Sequence, residues 1–202
     1  FLKKYFWYYS FHNEDLLSNT RDINTHIRFL DLQKHNNEIH FDRFLIDKNV
    51  LRNLSYSSKG RLSRAILALF SNKKPKDWRY TDREVIGDNL FFSTDKPNLH
   101  HIFPVNFINN NVNNNLLDHN SLMNIAYLTQ ITNLEISDQN PLVYIREFDE
   151  NPNFEKVIDN HLLPHDIVQW ARMEEMPIDA LDQFIEKRID KIISELQSQL
   201  KG

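Results

Sequence analysis

The chain has 202 residues, of which 41% are apolar and 26% charged. That is enough for one sizeable core or two small ones, and it fits a soluble globular protein rather than a disordered or fibrous one. No run reaches eighteen apolar residues, so no membrane span is expected. Cysteine is absent, which excludes disulfides, a thiolate nucleophile and a cysteine zinc site, and a cytoplasmic location is the expectation. The net charge of -4 hides an asymmetry: residues 1–80 carry 15 Lys/Arg against 8 Asp/Glu, and residues 81–202 carry 9 against 20. A basic half suits a polyanionic partner, although ordinary scatter produces such imbalances too.

The chain begins on FLKKYFWYYSF, without Met and dense in aromatics, which reads as a fragment of a longer protein cut within helical structure. Residues 13–35 have helical spacing through Leu16, Leu17, Ile23, Ile27 and Leu30. Between 41 and 54 the expected buried set is Phe41, Phe44, Leu45, Leu51 and Leu54. A clearer helix spans Arg61 to Phe70, with Leu62, Ala65, Ile66, Leu69 and Phe70 on one face. The next loop interleaves Lys73, Lys74, Lys76 and Arg79 with Trp78 and Tyr80. Together with Lys59, Arg61 and Arg64, this suits contact with a nucleic-acid backbone, and a solvated loop explains the same letters. A short helical piece is expected over Thr81 to Ile86.

Residues 87–98 read as a boundary. They divide the chain into a helical region over 1–90, the end of a longer upstream domain, and a site-bearing region over 91–202. Leu99 to Phe103 is expected to be extended and to stop at Pro104. Asn106 to Leu117 holds six Asn between 109 and 115 and reads as an exposed loop. IAYLT is a second short strand, Gln130 to Ile136 a short helix carrying Asn133, and SDQNP a turn with Pro141 opening the next helix. Short helices follow at Phe154 to Ile158 and Asp166 to Trp170. From Ile178, Leu181, Ile185, Ile189, Ile192 and Leu196 step by three or four. They define an amphipathic helix of about 20 residues, with Glu186, Lys187, Arg188, Asp190, Lys191 and Glu195 on its outer surface.

The chemistry concentrates between Leu99 and Tyr144. A neutral His is a natural proton acceptor near pH 7, and a divalent ion can hold a phosphate and offset developing charge. Magnesium prefers oxygen ligands such as an Asn carbonyl, and an imidazole ligand moves the preference toward manganese. His100 and His101 are adjacent, so on a strand they point to opposite faces and do different jobs. The residues alone do not say which does which.

HHIFP, followed by NIAYLTQITN and SDQNP, resembles the HNH (His-Me finger) nuclease module. The similarity is closest to the C-terminal region of GmrSD-type, modification-dependent restriction endonucleases. HLLPHDI, LDQFIEKRIDKIISEL and GRLSRAILAL resemble the same family's tail and middle. The resemblance implies a mostly α fold, with a small ββα-metal element packed among helices. It implies an endonuclease of a restriction or phage-defence system acting on double-stranded DNA, modified or not, with Mg or Mn. It makes His101 the general base, His100 and Asn133 the metal ligands, and Asn124 the residue that ties the loop and orients the His101 ring. Many such modules place Asp where His100 stands. Asp118 and His119 lie between the motif halves and read as surface residues.

Full-length relatives carry an N-terminal nucleotide-using domain, and this chain has no Gly-rich phosphate loop. A homo-oligomer is a further candidate assembly. Two other readings stand beside the nuclease: a nucleic-acid-binding module with an inactive site, and a helical structural or interaction domain.

Overall fold

The apolar spacing near the C-terminal end forms the longest element. Leu181, Ile185, Ile189, Ile192 and Leu196 are all buried along a helix from Ala180 to Lys201. The structure is a computed structural model that describes residues 2–11, 46–87, 95–111 and 118–201, with positions 24, 27, 28, 30, 31, 34 and 35. Among the described residues the chain is mostly helical, with one two-stranded sheet. No described helix is long and apolar enough to cross a membrane.

In chain order the elements are α1 (Leu2–Phe11), α2 (Lys48–Arg52), α3 (Arg61–Asn72), β1 (Pro97–His101), α4 (Val105–Asn111), β2 (Ile125–Thr129), α5 (Gln130–Ile136), α6 (Pro141–Asp149), α7 (Phe154–Asn160), α8 (Asp166–Met173) and α9 (Ala180–Lys201). A 3-10 turn over Leu122–Asn124 leads into β2. Two compact units emerge: one of residues 1–47 and 193–202, the other of residues 48–192. The division expected near residue 90 falls inside the second unit. The reason is that Asp77 and Trp78, upstream of it, are buried against residues downstream of it.

In the first unit, α1 buries Trp7 and Phe11 and exposes Leu2 and Phe6. Ile27 and Leu30 are exposed, and the remainder of the expected helical set over 13–35, with Phe41, Phe44 and Leu45, lies outside the described residues.

The second unit is built around Trp78. Its ring is fully buried and stacks on Tyr144 with centroids 5.9 Å apart. His100, Phe148, Phe154 and His161 meet it edge-on at 5.6 to 6.2 Å. Trp78 is thus a core residue, neither solvated with its loop nor open to a nucleic-acid backbone. The loop after α3 is a strut, with His161 Nε2 donating to the Lys76 carbonyl at 2.6 Å. Thr81 to Ile86 is not helical. It folds back as a turn bridged between Lys76 and Glu84, with Val85 N donating to the Pro75 carbonyl.

Helix α9 carries a second surprise. Arg188, expected on its outer surface, is fully buried. Its guanidinium donates to the carbonyls of Met123 (2.7 Å) and His161 (3.2 Å) and lies over the Phe70 ring. Burial lowers its pKa to about 9. Ile178, the expected start of the helix, is almost fully exposed, and the helix begins two residues later. The outer face meets α2 through ion pairs of Arg52 with Asp182 and Glu186.

The Asn-rich segment also departs from expectation, because α4 occupies Val105–Asn111. Pro104 ends the extended run, and its carbonyl accepts the Ile108 N–H at 3.0 Å. Phe107 meets the Phe103 ring and Ile108 is buried. Tertiary contacts on these apolar positions outweigh the weak helix preference of Asn. Residues 112–117 lie outside the described set.

Candidate active site

Strands β1 and β2 pair antiparallel, His100 opposite Ala126 and His101 opposite Ile125. The alternation of a strand separates the two imidazoles. His100 faces the core at 3% exposure, and His101 is half-buried on the other side. At the end of β2, Thr129 caps α5 by accepting the Thr132 N–H, and α5 brings Asn133 back toward β1. His100 Nδ1 lies 2.9 Å from Asn133 Oδ1. The expected strand–helix placement of Asn133 is the one observed.

A cleft of about 380 Å³ opens here, lined by His100, His101 and Asn133 together with Leu134, Asn106 and Asp138. The last two are hydrogen-bonded to each other across it at 2.9 Å.

The His100 pKa is pushed down to about 4, chiefly by burial, with the bond to Asn133 opposing. The ring is therefore neutral at neutral pH, as a metal ligand must be. Its Nε2 is buried without a hydrogen-bond partner, beside the edge-on rings of Trp78 and Tyr144. Bonds of about 2.1 Å at right angles place neighbouring ligand atoms about 3 Å apart, so the pair would span one cation once the proton that Nδ1 donates to Oδ1 moves to Nε2. Among the described residues no group of three or more His, Asp or Glu converges on a metal position. Two protein ligands leave most of a coordination shell to water or substrate oxygen.

Asn124 is buried and holds the chain around β1. Its Oδ1 accepts from Phe103 N (2.8 Å), and its Nδ2 donates to the carbonyls of Phe103 (2.9 Å) and His119 (3.2 Å). Its own carbonyl accepts from Ile102 N. It ties the loop but makes no hydrogen bond to the His101 ring, which corrects the orienting role expected of it. That contact belongs to Asn120, whose Oδ1 lies 3.3 Å from His101 Nε2. Burial lowers the His101 pKa, opposed by the Asn120 contact. Tyr144 secures the end of β1 by donating its hydroxyl to the Ile102 carbonyl.

Sequence reasoning missed Asp77. Its buried carboxylate accepts from the Thr129 N–H and hydroxyl, the Thr132 hydroxyl, and the N–H groups of Arg79 and Tyr80, all within 2.8 to 3.1 Å. It thereby pins the β2–α5 junction that aims Asn133. Only the Thr129-x-x-Thr132 pair hinted at a buried acceptor.

The basic residues separate into two groups. Lys59, Arg64 and Lys74 are exposed, and Arg61 and Lys73 are half-buried. Arg79 is committed to Glu135 and lies over the Phe148 ring, while Lys76 reaches the Asp82 carbonyl and Glu84.

Comparisons with protein-family models, with curated proteins and with solved structures return no match to this chain.

Proposed function

We propose that this chain is a metal-dependent DNA endonuclease domain of the HNH (His-Me finger) class, from a modification-dependent restriction or phage-defence system. The observation that carries the reading is the placement of His100 Nδ1 and Asn133 Oδ1 2.9 Å apart, with His101 on the opposite face of the same strand and lining the same cleft. The sequence resemblance assigns those three residues the same division of labour.

On this reading His101 accepts a proton from a water lined up on the phosphodiester, and the resulting hydroxide attacks phosphorus. His100 and Asn133 would hold a divalent cation, with manganese favoured over magnesium by the imidazole nitrogen. When bound, the cation supplies positive charge for the phosphate and the departing oxygen. Asn124 keeps the turn after β1 in place and is a positioning residue. Lys59, Arg64 and Lys74 are the basic side chains best presented to the backbone of duplex DNA. A nucleotide-using domain and a second copy of the chain are the partners this reading adds.

The test is cleavage of modified and unmodified plasmid DNA with Mg²⁺ or Mn²⁺, beside His101→Ala. Cleavage is expected to fall about 100- to 10,000-fold in the variant while DNA binding persists. Equal cleavage by both proteins removes His101 as base. DNA binding without cleavage under any metal moves the reading to an inactive binding module.

A further inference from the structure

A chain of polar contacts leaves the cleft on the His101 side. His101 Nε2 meets Asn120 Oδ1 at 3.3 Å, Asn120 Nδ2 meets His119 Nε2 at 3.1 Å, and His119 Nδ1 lies 3.8 Å from Asp118 Oδ1. Asp118 is anchored by the Ser55 hydroxyl and by the Asn120 N–H. The Asn120 carbonyl accepts from Tyr56 N at 2.9 Å, so the backbone at Asn120 is fixed independently of its side chain.

These contacts have a direction. His119 Nδ1 faces the Asp118 carboxylate at 3.8 Å, too far for a hydrogen bond, so Asp118 biases His119 toward its Nδ1–H form through charge alone. Nε2 of His119 is then an acceptor, and the NH₂ group of Asn120, 3.1 Å away, is the side-chain donor placed to meet it. The amide oxygen of Asn120 consequently faces His101 and accepts from Nε2–H. A neutral imidazole carries one proton, so His101 Nδ1 keeps its lone pair.

We propose that Asn120, its amide oxygen facing His101 and its NH₂ facing His119, is a positioning residue that holds His101 in the Nε2–H tautomer and leaves Nδ1 as the proton acceptor. This rests on the reading of His101 as the base. In the step itself Nδ1 gains the proton that water loses, and Nε2–H stays on Asn120, so the imidazolium is formed without breaking the contact. The role is that of an orienter: Asn120 touches neither water nor phosphate.

The test uses the whole chain labelled with ¹⁵N-histidine. Long-range ¹H–¹⁵N correlations at a pH where His101 is neutral report its tautomer, with His101→Gln assigning the signal. Wild type is expected to show Nε2–H. Asn120→Ala is expected to lose that bias. Asn120→Asp, whose carboxylate can only accept, is expected to restore it.

In duplex cleavage, Asn120→Ala is expected to lower kcat about 10- to 100-fold with KM within about twofold, and Asn120→Asp to recover most of it. An Nδ1–H tautomer in wild type, or the same tautomer in Asn120→Ala, overturns the proposal. The expected tautomers without cleavage by wild type would leave the positioning role standing and remove the nuclease reading instead.

Discussion

His100 Nδ1 and Asn133 Oδ1 approach to 2.9 Å although 33 residues separate them. Three devices bring this about: the pairing of β1 with β2, the Thr129 cap, and the Asp77 carboxylate that pins the junction. As a hydrogen bond the contact is modest. The same separation matches that of neighbouring ligand atoms on one divalent ion, the role proposed for the pair.

Metal binding is therefore expected to depend on both residues. Asn133→Ala is the cleaner variant, because Asn133 is only half-buried. It should lose Mn²⁺ binding by calorimetry and lower cleavage by about 100-fold or more, equivalent to ~3 kcal/mol of lost charge stabilisation. EDTA should abolish cleavage by wild type. Undiminished Mn²⁺ binding in Asn133→Ala would place the ion elsewhere.

Asp77→Ala is expected to destabilise the chain by about 3 kcal/mol, since several buried donors lose their acceptor at once. Urea denaturation measures this directly. Trp78→Ala, which empties the centre of the aromatic cluster, should cost about 3 to 5 kcal/mol. A change under 1 kcal/mol in either would contradict the packing described above.

Stability should fall on acidification through His161. Burial pushes its pKa to about 4, against the ordinary 6.5, with the bond to the Lys76 carbonyl opposing. Between those values the unfolded chain binds the proton and the folded chain does not. The contribution is thus complete above pH 6.5 and is lost as pH falls toward 4, at up to about 1.4 kcal/mol per unit for this one group. Urea midpoints at pH 7.5, 6.5, 5.5 and 4.5 for wild type and His161→Gln should show a shallower pH dependence in the variant.

Duplex binding should respond to Lys59→Glu and Arg64→Glu more than to Arg79→Glu, because Arg79 already pairs with Glu135. Each of the first two is expected to weaken affinity uniformly across sequences and to reduce the salt slope by about 1. Binding curves at three salt concentrations check this. Equal effects at all three positions would return Arg79 to the contact surface.

Much of the site's scaffold is written locally. The adjacent histidines on a strand, the IAYLT strand, the helix over Gln130–Ile136, the Asn140–Pro141 start of α6 and the long final helix all follow from alternation, capping and periodicity. Each signal lies within a few residues of the element it specifies.

The tertiary structure decided what those signals cannot carry. Arg188 follows two charged, exposed residues, Glu186 and Lys187, yet its own charge is buried because the Met123 and His161 carbonyls and the Phe70 ring converge on it. Asp77 and Trp78 lie in a lysine-rich loop, yet they gain partners as far downstream as Thr129, Thr132, Phe154 and His161. Asn120 reaches His101 because Tyr56, Asp118 and Asn124 hold the turn before β2 in place. Burial of a polar group is settled by the donors and acceptors that converge on it, and those come from distant parts of the chain.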